Sequence, residues 1–215
     1  MLQRAGEQPP YVLVGHSLGG IIVRLYASQY PAEIAGLVLV DARHEDFFQR
    51  MPPTFLQVDE ANYQHAQMLE ITTPLGFTRL AGKLGLLDSD EQYLAPLPDQ
   101  AKAAARAVMI YNPCQWQTSV AERDVIEQSY NEVRQTRLQR DLPLIVLSAD
   151  NGVEAWRSAS NPVDAATRDL WMGLQRDLAA LTDHSQWQIV KNSGHYIQLD
   201  QPNTVANAII SIYSR

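Results

Sequence analysis

A chain of 215 residues is long enough for one well-buried domain with an inserted subdomain, and too short for two independent enzymes. A formal charge of −7 argues against a nucleic-acid binder and gives acidic substrates no long-range steering. The only cysteine, Cys114, excludes an intramolecular disulfide and is expected to pack as a small apolar side chain.

The first residues lack the apolar core of a signal peptide, and no stretch reaches the roughly 20 apolar residues that span a bilayer. The chain therefore reads as soluble and cytoplasmic. Residues 11–14, Tyr-Val-Leu-Val, form an apolar run expected to be a buried strand. Gly15-His16-Ser17-Leu18-Gly19 follows, and then residues 20–29 with helical periodicity, closed by Tyr30-Pro31. Strand, glycine-flanked serine and helix are the context of a nucleophile elbow. A serine on so sharp a turn takes a strained backbone, and Gly15 and Gly19 are expected to relieve the crowding around it. The turn also aims a helix N-terminus at charge developing near the Ser17 hydroxyl. A second strand at 34–40 completes a β-α-β unit of about 30 residues, which implies a right-handed crossover in a parallel sheet.

From residue 43 to 140 the strand signal disappears, and residues 60–70, 100–110 and 120–138 read as helices. Breakers such as Pro52-Pro53, Thr73-Pro74 and Asn112-Pro113 prevent one straight rod. This stretch is expected to be a helical cap over the carboxyl edge of the sheet, where open α/β sheets bind ligands. Residues 1–42 and 141–215 would form the core. Phe47, Phe48, Met51, Phe55, Met68, Phe77, Trp116 and Tyr130 are candidates to line an apolar pocket.

Strand patterns return at 144–147 and, more weakly, at 187–190. Between them, residues 162–181 carry Leu170, Trp171, Leu174, Leu178 and Leu181 at helical spacing, which marks them as core. Asn203 is expected to cap a terminal helix with Val205, Ile209, Ile210 and Ile212 facing inward.

A serine hydroxyl needs a base within hydrogen-bonding reach, normally an imidazole oriented by a carboxylate. Of five histidines, His195 in Ser193-Gly194-His195 follows the last strand and so shares the sheet edge of Ser17, with Gly194 expected to sharpen that loop. His16 adjoins Ser17 and points away from it. His65 lies in a cap helix, and His184 precedes its strand at the opposite edge. His44 follows the second strand and is expected to supply polarity near the site. No His, Cys and carboxylate cluster has metal spacing, so neither metal nor cofactor is implied.

Strand, Gly-His-Ser-Leu-Gly-Gly, helix, a strand ending in Leu39-Val40-Asp41, helical insertion, strand, helix, strand and Ser-Gly-His resembles the α/β-hydrolase family over essentially the whole chain. The resemblance implies an α/β fold with a mostly parallel sheet, Ser17 as nucleophile, His195 as general base and the Leu18 N–H as oxyanion donor. His16 would stand beside that substrate and oxyanion site. The acid is either Asp41, directly after the second strand, or Asp150, after the third. Asp150 is out of register with the family pattern, since Ala149 stands where a glycine is expected and Gly152 where the acid is expected, and Asp41 is therefore favoured. Family members usually carry roughly 100 residues before the elbow, including the loop that supplies a second oxyanion donor. The chain thus reads as an N-terminally truncated hydrolase, with a sheet edge left for a partner or a second copy to cover.

The function implied is hydrolysis of a carboxylic ester or related small apolar acyl compound through an acyl-enzyme on Ser17. Acyltransferase and thioesterase chemistry use the same residues, and a non-catalytic binding protein could keep the fold without the chemistry.

Overall fold

A computed structural model describes residues 2–86, 97–151 and 165–214. Four apolar runs form strands β1 (Tyr11–His16), β2 (Ile34–Val40), β3 (Leu144–Ala149) and β4 (Ser185–Val190). They make one parallel sheet in the order β1-β2-β3-β4. The register pairs His16 with Val40, Val40 with Leu147, and Ala149 with Val190. All four carboxyl ends therefore lie along one edge, as the β-α-β reading requires. β1 and β3 continue past their apolar runs and β4 starts before its own, because ladder hydrogen bonds accept Gly15, His16, Ser148, Ser185 and Gln186 as readily as aliphatic residues.

Alternation along β2 and β3 builds two cores. Val38, Val40, Ile145 and Leu147 face Val205, Ala208 and Ile212 of the last helix, while Leu37, Leu39, Leu144 and Val146 face Ala27 and Leu178. Helix α1 (Gly19–Gln29) joins β1 to β2. Helices α2 (Phe47–Arg50), α3 (Pro53–Thr72), α4 (Phe77–Lys83), α5 (Asp99–Met109), α6 (Pro113–Asp124) and α7 (Ile126–Arg134) fill the stretch before β3. Helices α8 (Ala165–Ala179), α9 (Ile197–Asp200) and α10 (Pro202–Tyr213) complete the described residues.

Two compact units result, one of residues 1–56 with 128–215 and one of residues 57–127. Residues 43–56 and 128–140 thus belong with the sheet. Phe47, Phe55 and Tyr130, expected from the sequence as candidates to line a pocket, are fully buried side chains of that first unit.

Several local expectations are corrected. The stretch 120–138 is not one helix: α6 starts at Pro113, capped by the Asn112 side chain accepting the Cys114 N–H, and ends at Val125, whose ψ of 5° leaves the helical path before α7. Gln201 rather than Asn203 precedes the last helix, because Pro202 takes the first helical position, where its missing N–H costs nothing. Ile210 is 59 % exposed, on the opposite face from Val205 and Ile212. Cys114 is exposed. Residues 162–164 of the expected helix lie outside the described residues.

Candidate active site

Ser17 follows β1 with φ +52°, a left-handed backbone that costs a non-glycine residue about 1–3 kcal/mol. The strain is held by its own hydrogen bonds: the Ser17 N–H donates to Val40 O (3.2 Å), and the Ser17 carbonyl accepts from Arg43 N (2.9 Å) and Gly20 N (3.1 Å). Close packing explains the neighbouring glycines. A Cβ on Gly15 would meet Gly19 O and Val23 Cγ2 at 2.7 Å, and one on Gly20 would meet Ala42 Cβ at 2.5 Å, whereas Gly19 opens onto empty space. The steric demand expected of Gly19 thus falls on Gly20, where α1 crosses the segment leaving β2. Leu18 stands at the N-terminal cap position of α1, which no side chain caps. The Gly20 and Ile21 N–H groups donate to Ser17 O and Leu18 O, so the N–H groups left for an anion at this end are those of Leu18 and Gly19.

Asp41, directly after β2, also has positive φ (+40°), and Asn192, after β4, has φ +54°. Among the described residues these three are the non-glycine positive φ values, and all lie at the carboxyl edge of the sheet. The turn expected of Gly194 is made by Asn192 instead.

The Asp41 carboxylate is fully buried and satisfied on both oxygens. Oδ2 lies 2.7 Å from His195 Nδ1, and Oδ1 accepts from Ala149 N (3.1 Å) and Trp171 Nε1 (3.2 Å). A carboxylate only accepts here, so His195 carries its hydrogen on Nδ1 and Nε2 is its basic nitrogen. A second buried set fixes the turn beyond Asp41. Gln175 donates to Ala42 O (2.7 Å), Ser148 Oγ donates to Gln175 Oε1 (3.2 Å), and Trp187 Nε1 donates to Ser148 Oγ (2.9 Å).

Asp150 lies elsewhere in the same edge. Its two oxygens accept from Asn192 N and Ser193 N, both at 3.1 Å, while Asp200 Oδ2 accepts from Gly194 N at 2.8 Å. These two carboxylates anchor the backbone that carries His195. His16 ties the elbow to the same loop: its Nε2–H donates to His195 O (2.9 Å), and its ring lies 4.6 Å from the His195 ring and 5.2 Å from Tyr196. Burial and the neighbouring His195 push the His16 pKa below the ordinary histidine value, so His16 is a neutral donor.

His44 is buried, and its Nδ1 accepts from Asp46 N (3.0 Å). Burial holds its pKa low. Beside it, Arg24 grips Glu45 through two hydrogen bonds of 2.7 and 3.0 Å. Burial alone would raise the Glu45 carboxyl, but the Arg24 fork brings it down to about 2. His65 is exposed on α3, and His184 precedes β4 at the other end of the sheet.

The sequence placed Ser17, His195, Asp41 and Asp150 at one edge and favoured Asp41 over Asp150. It missed Trp171 and Gln175, whose helical spacing marked the first as core and gave no sign of either polar contact. Among the described residues no group of three His, Cys, Asp or Glu is placed to hold a metal ion.

The profile of the α/β hydrolase fold matches residues 1–202, and the chain belongs to that family. YqjL of Bacillus subtilis, an uncharacterised protein, is 24 % identical over 213 residues, covering 99 % of this chain and 60 % of its own length. The (lyso)-N-acylphosphatidylethanolamine lipase of Bos taurus is 36 % identical over 83 residues, covering 36 % of this chain and 22 % of the lipase. A solved thermophilic esterase from Thermogutta terrifontis superposes with a TM-score of 0.52 at 20 % identity, covering 99 % of this chain and 68 % of the esterase. The chain thus spans less than two thirds of the curated relatives described.

Proposed function

We propose that this chain is a serine hydrolase acting on a carboxylic ester or related small apolar acyl compound. Ser17 attacks the acyl carbon, His195 Nε2 takes the hydroxyl proton, and the Leu18 N–H at the start of α1 stabilises the oxyanion. The same imidazole, now protonated, passes that proton to the leaving alkoxide. A water molecule then hydrolyses the acyl-enzyme with His195 again as base. Asp41 holds the imidazole in its Nδ1–H tautomer and balances the positive charge. Asp150 and Asp200 orient the loop from outside the proton path.

The observation that carries this reading is the His195–Asp41 pair on the sheet edge that also holds Ser17 in a strained turn. The family and the local likeness to a lipase are consistent with it. A panel of p-nitrophenyl esters of increasing acyl length tests it. Turnover by the purified chain and none by Ser17→Ala is expected. Equal residual rates for the two folded proteins would instead favour the non-catalytic binding protein.

A further inference from the structure

The unit 57–127 carries an unusual surface. Residues 71–87 contain Arg79 and Lys83 and no Asp or Glu, between Glu70 and the acidic run Asp88-Ser89-Asp90-Glu91. Within that run Ile71, Leu75, Phe77, Leu80, Leu84 and Leu86 are each more than half exposed. Helical spacing sets Phe77, Leu80 and Leu84 in one stripe along α4 and Arg79 and Lys83 in another beside it. Exposed apolar side chains grouped like this mark an interaction site in a water-soluble fold.

The cations border a hollow. Arg79, Gly82, Lys83 and Tyr111 line a cavity of about 330 Å³. The Tyr111 hydroxyl lies over the bare backbone of Gly82, where a Cβ would approach it to 2.2 Å. Among the described residues no carboxylate lines this cavity, and no ion pair engages Arg79 or Lys83. Two cations and a phenol beside this hollow supply the donors that a phosphate oxygen accepts from, and the adjoining apolar stripe matches the acyl chains below it.

We propose that residues 71–86, with Tyr111, form a docking surface for a membrane that carries anionic phospholipid. The apolar side chains enter the acyl boundary, while Arg79 and Lys83 take a headgroup phosphate. Apolar burial and charge attraction act together, as reversible membrane attachment requires. A second copy of the chain fits less well, because a two-fold contact through this surface would set Arg79 and Lys83 against their own copies. The proposal does not depend on the chemistry at Ser17.

Flotation of the purified chain with vesicles tests it. The chain should float with phosphatidylcholine vesicles that contain phosphatidylglycerol, and far less with phosphatidylcholine alone. Each cation near an anionic surface is worth about fivefold in partitioning, so Arg79→Gln with Lys83→Gln should lose about 30-fold. Leu80→Ser with Leu84→Ser should also lose flotation while keeping the parent circular dichroism, and Ser17→Ala should float like the parent even if no ester is ever hydrolysed. Three results would each overturn the proposal. They are a folded chain that floats with neither vesicle, equal flotation of the charge-neutralised variant, and leucine variants that only turn a dimer into a monomer.

Discussion

Two carboxylates at adjacent strand ends do different work because they meet different partners. Asp41 faces an imidazole and two N–H donors inside the core, whereas Asp150 faces the two amides before Gly194. Asp41→Asn keeps the shape but can no longer favour the Nδ1–H tautomer or balance an imidazolium. Its kcat should fall about 10⁴-fold at equal folded yield. Asp150→Asn keeps one acceptor for the loop and should lose far less. The reverse order in esterase assays would transfer the acid's role to Asp150. Trp171 acts through Asp41. Trp171→Phe keeps an aromatic ring against Phe47 but removes one donor from the carboxylate. Asp41 Oδ1 then keeps only the Ala149 N–H, and the carboxylate is held less firmly at its angle to the imidazole. kcat should drop about tenfold, in keeping with the ~1.5 kcal/mol of a hydrogen bond to a charged group. An unchanged kcat in the folded variant would show that the indole N–H does not orient the carboxylate.

At the scale of elements, the elbow depends on how closely α1 approaches β1. A methyl at position 15 would sit 2.7 Å from Gly19 O, so Gly15→Ala must open the turn that holds Ser17. It should cost about 2 kcal/mol in urea denaturation and reduce activity with it. An unchanged midpoint would show that the turn is not sterically closed. The elements themselves were largely legible in the sequence. Aliphatic runs marked all four strands, and Gly-His-Ser-Leu-Gly between a strand and a helix marked the elbow. What stayed hidden was decided by side chains meeting across the fold. No local signal could assign crowding to Gly20 rather than Gly19, because Ala42 arrives from another strand end. The positive φ of Asn192 belongs to a turn held by Asp150, and the break at Val125 carries neither proline nor glycine. Asp41 was legible as a candidate because it ends its strand. The contact that distinguishes it from Asp150 spans 154 positions of sequence.

For the whole molecule, β1 lies at one end of the four-strand order, with Val14 41 % exposed. The buried Arg24–Glu45 pair binds α1 to the segment after β2, and its titration should show in global stability. The Glu45 pKa falls from 4.5 to about 2 on folding, so the carboxylate stabilises the fold fully above pH 4.5 and progressively less as the pH drops toward 2. Glu45→Gln leaves a buried guanidinium without counter-charge and should cost about 3 kcal/mol at neutral pH. The gap between parent and variant should close as the pH is lowered through that window. A gap independent of pH would show that the pair acts through packing alone.

All of this chemistry needs an activated Ser17 hydroxyl. Treating the folded chain with a fluorophosphonate and mapping the adduct by mass spectrometry probes that activation. One stoichiometric adduct on Ser17 is expected, lost in Ser17→Ala and strongly slowed in His195→Ala and Asp41→Asn. A folded chain that takes no label at Ser17, or takes it at the same rate without His195, would contradict it.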